Sequence, residues 1–445
     1  MKNIIRSSVL GKDQVIYKNC DYKISPYIIQ IYDNDKYIFN NILTSEIIIY
    51  DSLDDIKDDY EYLIRKWFYF NENLDPKSFV DGLLSVENIP KDLYNKKLLT
   101  PDNYIIFTTM DCNARCPYCY EEGIYHDYMS NETSLKVAEF IKNHYKSSDE
   151  IKLDWFGGEP LCNTKAIDLI TNYLYDNNIP YTSGFTSNGY LFNNFSDYTL
   201  LEKWHMVGAQ ITLDGDSNIY NKIKNYKNND KDAFNRVIEN IDRLLNLGIN
   251  ISARINISIE NLDYIDPLLE LLCIKFKKFL NKNLEIYFSP LFEGIGNPPM
   301  HRSLEEKLLV SNKIIESTDL CNKYGCHINL KDYKKIEHCH CSADRPASLT
   351  INPKGEFVIC EHYFSSSIGN VYTGIEDISY KTRIWESSKN FELCSTCFKY
   401  PRCRNSINCP IENVCCDESN IIVERHRIEN FTKMIVNDWR NCHES

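Results

Sequence analysis

No run of about 18 apolar residues occurs in the chain, which excludes a membrane-spanning helix. The opening stretch, MKNIIRSSVLGKDQVIY, lacks an apolar core long enough for a secretory signal, so a cytoplasmic location is expected. Basic charge is scarce as well. The 50 Lys and Arg are outnumbered by 63 Asp and Glu, giving a net charge of −13. Binding to nucleic acid usually needs a basic face, and that class is set aside. The acidity suits a basic peptide partner, and equally suits plain solubility.

What the 445 residues do contain is 43% hydrophobic and 25% charged side chains, the balance of a globular protein long enough for two or three domains. They also contain 18 cysteines. In a reducing compartment these read as metal ligands rather than a disulfide framework. Cys20, Cys162 and Cys273 are scattered, Cys112, Cys116 and Cys119 lie together, and twelve fall between Cys321 and Cys442. Two separate metal regions are expected.

Residues 1–95 read as a small module. In 27-YIIQIYDNDKYIF-39 two alternating runs flank a turn at Asp33-Asn34-Asp35, and 46-EIIIYDS-52 is a third strand. Helical spacing follows over 54–70 and over 76–84, the latter opening on a proline suited to a first helical position. Three strands followed by helices suggest a winged-helix-like module. Its strand edge suits a peptide added by β-pairing, and a packing appendage is the alternative. From 100 to 300 strands alternate with helices. The strands are 104–110, 151–156, 181–190, 208–215, 251–258 and 284–291, with helices such as 132–145, 164–175 and 233–248 between them. Six such repeats imply a parallel sheet, open or curled into a partial (β/α)6 barrel, with chemistry at the C-terminal strand ends. A helix over 303–317 follows. Beyond about 320 the chain is loop-rich, apart from a hairpin over 348–360 and a last helix over 419–439.

In 111-DCNARCPYCYEEG-123 the spacing is C-x3-C-x2-C. Thiolates select zinc or iron–sulfur clusters. A structural zinc ion wants a fourth ligand close by, for which His126 is the nearest candidate. A cubane cluster on three cysteines instead leaves one iron open. The motif follows the first barrel strand and has Tyr118 just before its third cysteine. It resembles the hallmark of the radical S-adenosylmethionine enzymes. Four segments at successive strand ends extend the resemblance. They are 155-WFGGEP-160, 186-TSNGY-190, 212-TLDGD-216 (Thr212 stands where the family has Ser) and 253-ARINI-257.

The resemblance implies a [4Fe–4S] cluster on Cys112, Cys116 and Cys119, whose open iron binds S-adenosylmethionine. One electron then cleaves the sulfonium, and a 5′-deoxyadenosyl radical abstracts a hydrogen. It also implies S-adenosylmethionine contacts from Tyr118, Gly157, Gly158, Glu159, Ser187, Asn188, Arg254 and Asn256. Asp214 is a candidate proton acceptor, or else a turn aspartate.

The C-terminal cysteines resemble the SPASM extension of some of these enzymes. Cys341, Gly355 and Cys360 give C-x13-G-x4-C, and Cys394, Cys397 and Cys403 give C-x2-C-x5-C. Cys409 departs from the pattern by following after five residues instead of three. The resemblance implies two auxiliary [4Fe–4S] clusters over 301–445, three clusters in all. Cys341, Cys360 and Cys409 serve the first, whose fourth ligand is Cys339, Cys326, Cys321 or none. Cys394, Cys397, Cys403 and Cys416 (or Cys415) serve the second. A zinc ribbon at Cys394 and Cys397 is the alternative.

The function implied is maturation of a ribosomally made precursor peptide that carries a leader sequence, with an electron donor such as ferredoxin or flavodoxin. A thioether cross-link is the first expectation. Carbon–carbon cross-linking, epimerisation and formylglycine formation on a sulfatase are alternatives. A non-catalytic scaffold or peptide-binding regulator would have no use for an open iron.

Overall fold

The computed structural model describes residues 2–7, 10, 13–18, 20–86, 91–119, 121, 126–146, 150–291, 302–328, 342–343, 345–377, 379, 381, 392–402 and 418–443. Chain contacts divide the molecule into two units. One comprises Met1–Ile89, Leu330–His340 and Ser387–Ser445, the other Pro90–Asn329 and Cys341–Glu386. Residues 301–445, expected as one domain, are thus shared between both. Among the described residues no helix is long and apolar enough to cross a membrane.

In the first unit, strands β1 (Lys2–Arg6), β3 (Ile28–Asp33), β4 (Lys36–Asn41) and β5 (Ile47–Tyr50) form an antiparallel sheet in the order β1-β5-β4-β3. Strand β2 (Tyr22–Ile24) pairs separately with β6 (Tyr69–Asn71). The β3–β4 turn has Asn34 and Asp35 at φ 49° and 57°, the two-residue turn whose twist matches a hairpin. The helix expected over 54–70 is broken. Helices Leu53–Asp58 and Tyr60–Arg65 meet at Asp59, and Trp67 at φ 63° turns the chain into β6. Asn41 Nδ2 donates to the carbonyls of Lys66 (3.2 Å) and Trp67 (3.1 Å), tying the helix end to β4.

The stretch 47-IIIY-50 is apolar throughout because both faces of the sheet are covered. Ile48 and Tyr50 pack with Leu63 and Phe68. Ile47 and Ile49 belong to a second buried cluster that also holds Ile29, Ile31 and Ile38 and takes in Ile428 and Val436 of the C-terminal helix Glu418–His443. Asn40 Nδ2 also donates to Thr432 Oγ1 at 2.8 Å.

The second unit holds β7 (Asn103–Thr109), β8 (Ile151–Gly157), β9 (Tyr181–Ser187), β10 (Met206–Leu213), β11 (Asn250–Ile257) and β12 (Leu284–Pro290). They pair in parallel, each beside the one before it in sequence. A sheet wound in one direction by right-handed crossovers carries its helices on one face. Period-two alternation separates the two faces. Ile151, Leu153 and Trp155 of β8 are buried, as are Ile211 and Leu213 of β10. The opposite face carries Asp154, Gln210, Thr212, Arg254, Asn256, Tyr287 and Ser289, which the parallel registers bring into neighbouring rows. Helix Ala233–Asn246 shows the covering side: Phe234, Val237, Ile238, Ile241, Leu244 and Leu245 are buried. Gly248 at φ 82° then ends it, its N–H bonded to the Leu245 carbonyl.

The sheet does not stop at β7. Strand β13 (Ser348–Ile351) pairs in parallel with β7, and β14 (Glu356–Cys360), β15 (Tyr363–Asn370) and β16 (Gly374–Ile375) continue antiparallel, giving ten strands. The expected hairpin at 348–360 is therefore also a sheet extension. Buried Lys381 fixes the loop before β13 by donating to the carbonyls of Ser342 (3.0 Å), Arg345 (3.3 Å) and Ser348.

Candidate active site

The three-cysteine loop leaves the C-terminal end of β7 and meets the end of β8 closely. A Cβ on Gly157 (φ 119°) would stand 2.1 Å from the Thr109 carbonyl oxygen, and one on Gly158 would stand 2.4 Å from that of Asp111. Only glycines permit this approach. It lets Gly158 N–H reach Thr109 O at 3.1 Å and Glu159 N–H reach Asp111 O at 3.0 Å.

Asp111 anchors the start of the loop. It accepts from Lys227 Nζ (2.8 and 3.0 Å), Tyr128 OH (2.9 Å) and Arg115 Nη2 (3.2 Å). Burial alone would raise its pKa. Lys227, Tyr128, the Cys112 N–H and Arg115 outweigh that and hold the carboxyl well below the usual range. Arg115 Nη1 also donates to the carbonyls of Cys112 and Ala114, both at 2.7 Å, and so fixes the curl between the first two cysteines. His126 lies 3.5 Å from Asp111 Oδ1.

Cys112 Sγ accepts from Ala114 N–H at 3.4 Å and faces Asn188 Nδ2 at 3.7 Å. Cys119 N–H donates to the Cys116 carbonyl at 3.1 Å. Burial, with Glu159 nearby, pushes the Cys112 thiol up. Burial and Glu121 push Cys119 up to about 12. At neutral pH these groups are thiols, and a soft cation is what would make them thiolate ligands.

Glu159 is wholly buried. It accepts from Ser187 Oγ (2.9 and 3.0 Å), Asn188 N–H (2.9 Å) and Leu161 N–H (3.3 Å). Burial raises its pKa to about 7, against the lowering pull of those donors. The carboxyl thus fixes the β9 end, and Asn188 in turn donates to Asn113 Oδ1 inside the cysteine loop at 2.7 Å.

Tyr118 and Asp214 are brought together with a group the sequence reading missed. Tyr118 OH donates to Asp214 Oδ1 at 2.6 Å, and Asn256 Nδ2 donates to the same oxygen at 3.0 Å. Lys224 Nζ pairs with Asp214 Oδ2 at 2.8 Å, with both side chains nearly inaccessible (2% and 1%). It also reaches Thr212 Oγ1 at 2.8 Å and Tyr118 OH at 3.2 Å. Burial lowers the Lys224 pKa, but Asp214 and Tyr118 overcome it and hold the group charged. Lys224 sits four residues after Tyr220 on the buried side of helix Ser217–Lys224, where the sequence alone looks like any helix end.

Arg254 and Asn256 are neighbours on β11, with Arg254 Nε 3.1 Å from Asn256 Oδ1 and Arg254 Nη2 2.9 Å from Ser289 Oγ on β12. The partly exposed Arg254 guanidinium is a cation on this polar face and fits a carboxylate ligand. The site thus combines three thiols on one loop, a polar strand face and an arginine. That donor set fits an iron–sulfur cluster with an amino-acid-bearing cofactor. Of the auxiliary-cluster candidates, buried Cys360 ends β14, Cys394 is buried in the short helix Glu392–Ser395, and Cys397 is half-buried two residues beyond it. Cys339, Cys341, Cys403, Cys409, Cys415 and Cys416 lie outside the described residues.

Comparison with known proteins agrees with this geometry. Residues 106–272 match the Radical SAM superfamily. The chain is 24% identical over 290 residues to the radical SAM cyclopropyl synthase TigE of Paramaledivibacter caminithermalis, covering 57% of this chain and 60% of TigE. Solved structures that share the fold include the following two. anSMEcpe with bound AdoMet and the Cp18Cys peptide has a TM-score of 0.55 at 14% identity, covering 77% of this chain and 100% of that one. Streptococcus suis SuiB bound to the precursor peptide SuiA has a TM-score of 0.52 at 15% identity, covering 90% and 98%. The match begins within β7 and spans the strand ends that carry the cysteine loop, Glu159, Asn188, Asp214 and Asn256: the chain is an enzyme that carries a Radical SAM superfamily domain over residues 106–272.

Proposed function

We propose that this enzyme modifies a ribosomally synthesised precursor peptide and that the modification is a thioether cross-link. The observation that carries the catalytic half is the C-x3-C-x2-C loop held against the polar strand face by Asp111, Gly157 and Gly158. The peptide half is supported by likeness of fold to anSMEcpe and SuiB, both seen with peptides. Cys112, Cys116 and Cys119 hold a [4Fe–4S] cluster. Arg254 would bind the carboxylate of S-adenosylmethionine, and Asn256, Asn188 and the GGE backbone would supply its other polar contacts. Tyr118 is held in place by Asp214, Lys224 and Asn256. When bound, the cofactors would supply a hydrogen-abstracting radical and a sink for the second electron, so that the substrate loses two hydrogens as sulfur joins carbon.

Asp214, tied to Lys224, serves as the anchor of Tyr118 rather than as a free base. Residues 1–95 take the leader by strand addition at β3, an edge strand of the described sheet. Residues 301–445 form the SPASM region. Cys341, Cys360 and Cys409, with Cys339, hold one auxiliary cluster, and Cys394, Cys397, Cys403 and Cys416 hold the other. Likeness to a cyclopropyl synthase favours carbon–carbon bond formation as the second reading.

Anaerobic reconstitution with iron and sulfide, followed by S-adenosylmethionine and a reductant, tests the catalytic half. Formation of 5′-deoxyadenosine is expected, and its absence would sink the assignment. Iron at about twelve per chain supports three clusters, and iron at about four removes the SPASM assignment.

A further inference from the structure

Three buried cysteines converge outside the active site. The Sγ atoms of Cys273, Cys321 and Cys326 all lie within 4.8 Å of one another, and each residue is at most 1% exposed. Cys273 sits in the last turn of helix Ile265–Lys275, which precedes β12. Cys321 sits in the last turn of helix Leu304–Lys323. Gly325, at φ 76°, turns the chain back. Cys326 N–H then donates to the Cys321 carbonyl (2.9 Å) and Gly325 N–H to that of Asn322 (2.9 Å). This is the six-to-one and five-to-two bonding of a Schellman cap, which brings the side chains at its two ends together. Here both are cysteines, spaced C-x4-C, and the third arrives from another helix.

The surroundings hold this arrangement in place. Asn281 Nδ2 donates to the Gly325 carbonyl at 2.7 Å, and its Oδ1 accepts from His327 N–H at 2.9 Å. Further along the helix pair, Lys313 Nζ meets Asp266 at 2.7 Å. Three thiols serving only as small hydrophobes need no mutual contact. Thiolates on one tetrahedral zinc ion, at Zn–S of about 2.3 Å, stand about 3.8 Å apart. Thiolates on a cubane bind different irons and stand further apart. The spacing here suits one ion.

We propose that Cys273, Cys321 and Cys326 bind a single zinc ion, which pins helix Leu304–Lys323 to helix Ile265–Lys275 beside the last barrel strand. The three thiolates leave the fourth tetrahedral position for a ligand from outside this buried cluster. This assigns Cys321 and Cys326 away from the auxiliary iron–sulfur cluster for which they were candidates. The proposal is independent of the peptide chemistry.

The test is elemental analysis of the full chain, purified with zinc and reconstituted with iron and sulfide. One zinc ion per chain is expected beside the iron. Cys273→Ser should bring zinc to near none with iron and 5′-deoxyadenosine formation unchanged. Cobalt(II) in place of zinc should give a thiolate-to-cobalt charge-transfer band in the wild type, a readout that needs no variant to fold. Zinc absent from the wild type without that band, a disulfide among the three cysteines, or loss of iron instead of zinc in Cys273→Ser would each overturn the proposal.

Discussion

At the scale of single residues, the site depends on buried charge that is paired. Asp214 and Lys224 are both nearly inaccessible and 2.8 Å apart. Removing one partner of such a pair strands the other charge. Lys224→Met should therefore destabilise the fold by about 3–5 kcal/mol in chemical denaturation, and adding Asp214→Asn should recover much of it. Equal losses in the single and double variants would contradict the pairing. Glu159 works in the opposite sense. Its pKa rises from an ordinary 4.5 to about 7, so between those values the folded protein keeps a proton that the unfolded chain releases. Its contribution is full below the unfolded value and is lost as pH rises through the folded one. Relative to Glu159→Gln, the wild type should lose up to about 3 kcal/mol of stability from about pH 5 to about pH 8. Parallel pH profiles would count against a buried proton on Glu159. The sequence named Asp214 and Glu159, since both stand in recognisable strand-end segments. It did not reveal Lys224, because a lysine one turn beyond Tyr220 is indistinguishable from a solvated helix end until the helix is docked.

At the scale of elements, the six barrel strands were legible because period-two burial and β-branched content mark each one, and the turn at Asn34-Asp35 marks the first hairpin. The helix over 54–70 was misread, since the left-handed Trp67 and the Asn41 side chain that stop it are tertiary features. The glycines show how a motif can carry more than one constraint. Gly157 and Gly158, expected as cofactor contacts, also make room for the backbone of the cysteine loop itself. A methyl group at Gly158 meets two backbone carbonyls that cannot step aside. Gly158→Ala should cost about 1–3 kcal/mol and displace the loop. Iron per reconstituted chain should fall by about four atoms. Full iron content with unchanged stability would show that the loop does not depend on this approach.

At the scale of the whole molecule, the division of the chain was not legible. A cysteine-rich C-terminal third reads as one domain, because cysteine spacing reports ligands and not neighbours. In the structure β13 extends the barrel sheet, while helix Glu418–His443 covers the N-terminal sheet of the other unit. The clue was in 46-EIIIY-50, where four successive apolar residues imply cover on two faces and only one covering helix pair follows nearby in sequence. Truncation before residue 418 should uncover Ile29, Ile31 and Ile38, and the truncated chain should bind a hydrophobic dye strongly and associate. A monomeric truncated chain with unchanged dye binding would contradict that packing.

Radical chemistry on a peptide would show in mass spectrometry of the precursor peptide encoded beside this gene, after anaerobic reaction with the reconstituted enzyme, S-adenosylmethionine and a reductant. The expected product has lost two hydrogens for each cross-link, carries a cysteine that no longer alkylates, and forms alongside 5′-deoxyadenosine. A peptide unchanged in mass and in thiol count, with no 5′-deoxyadenosine, would contradict that chemistry.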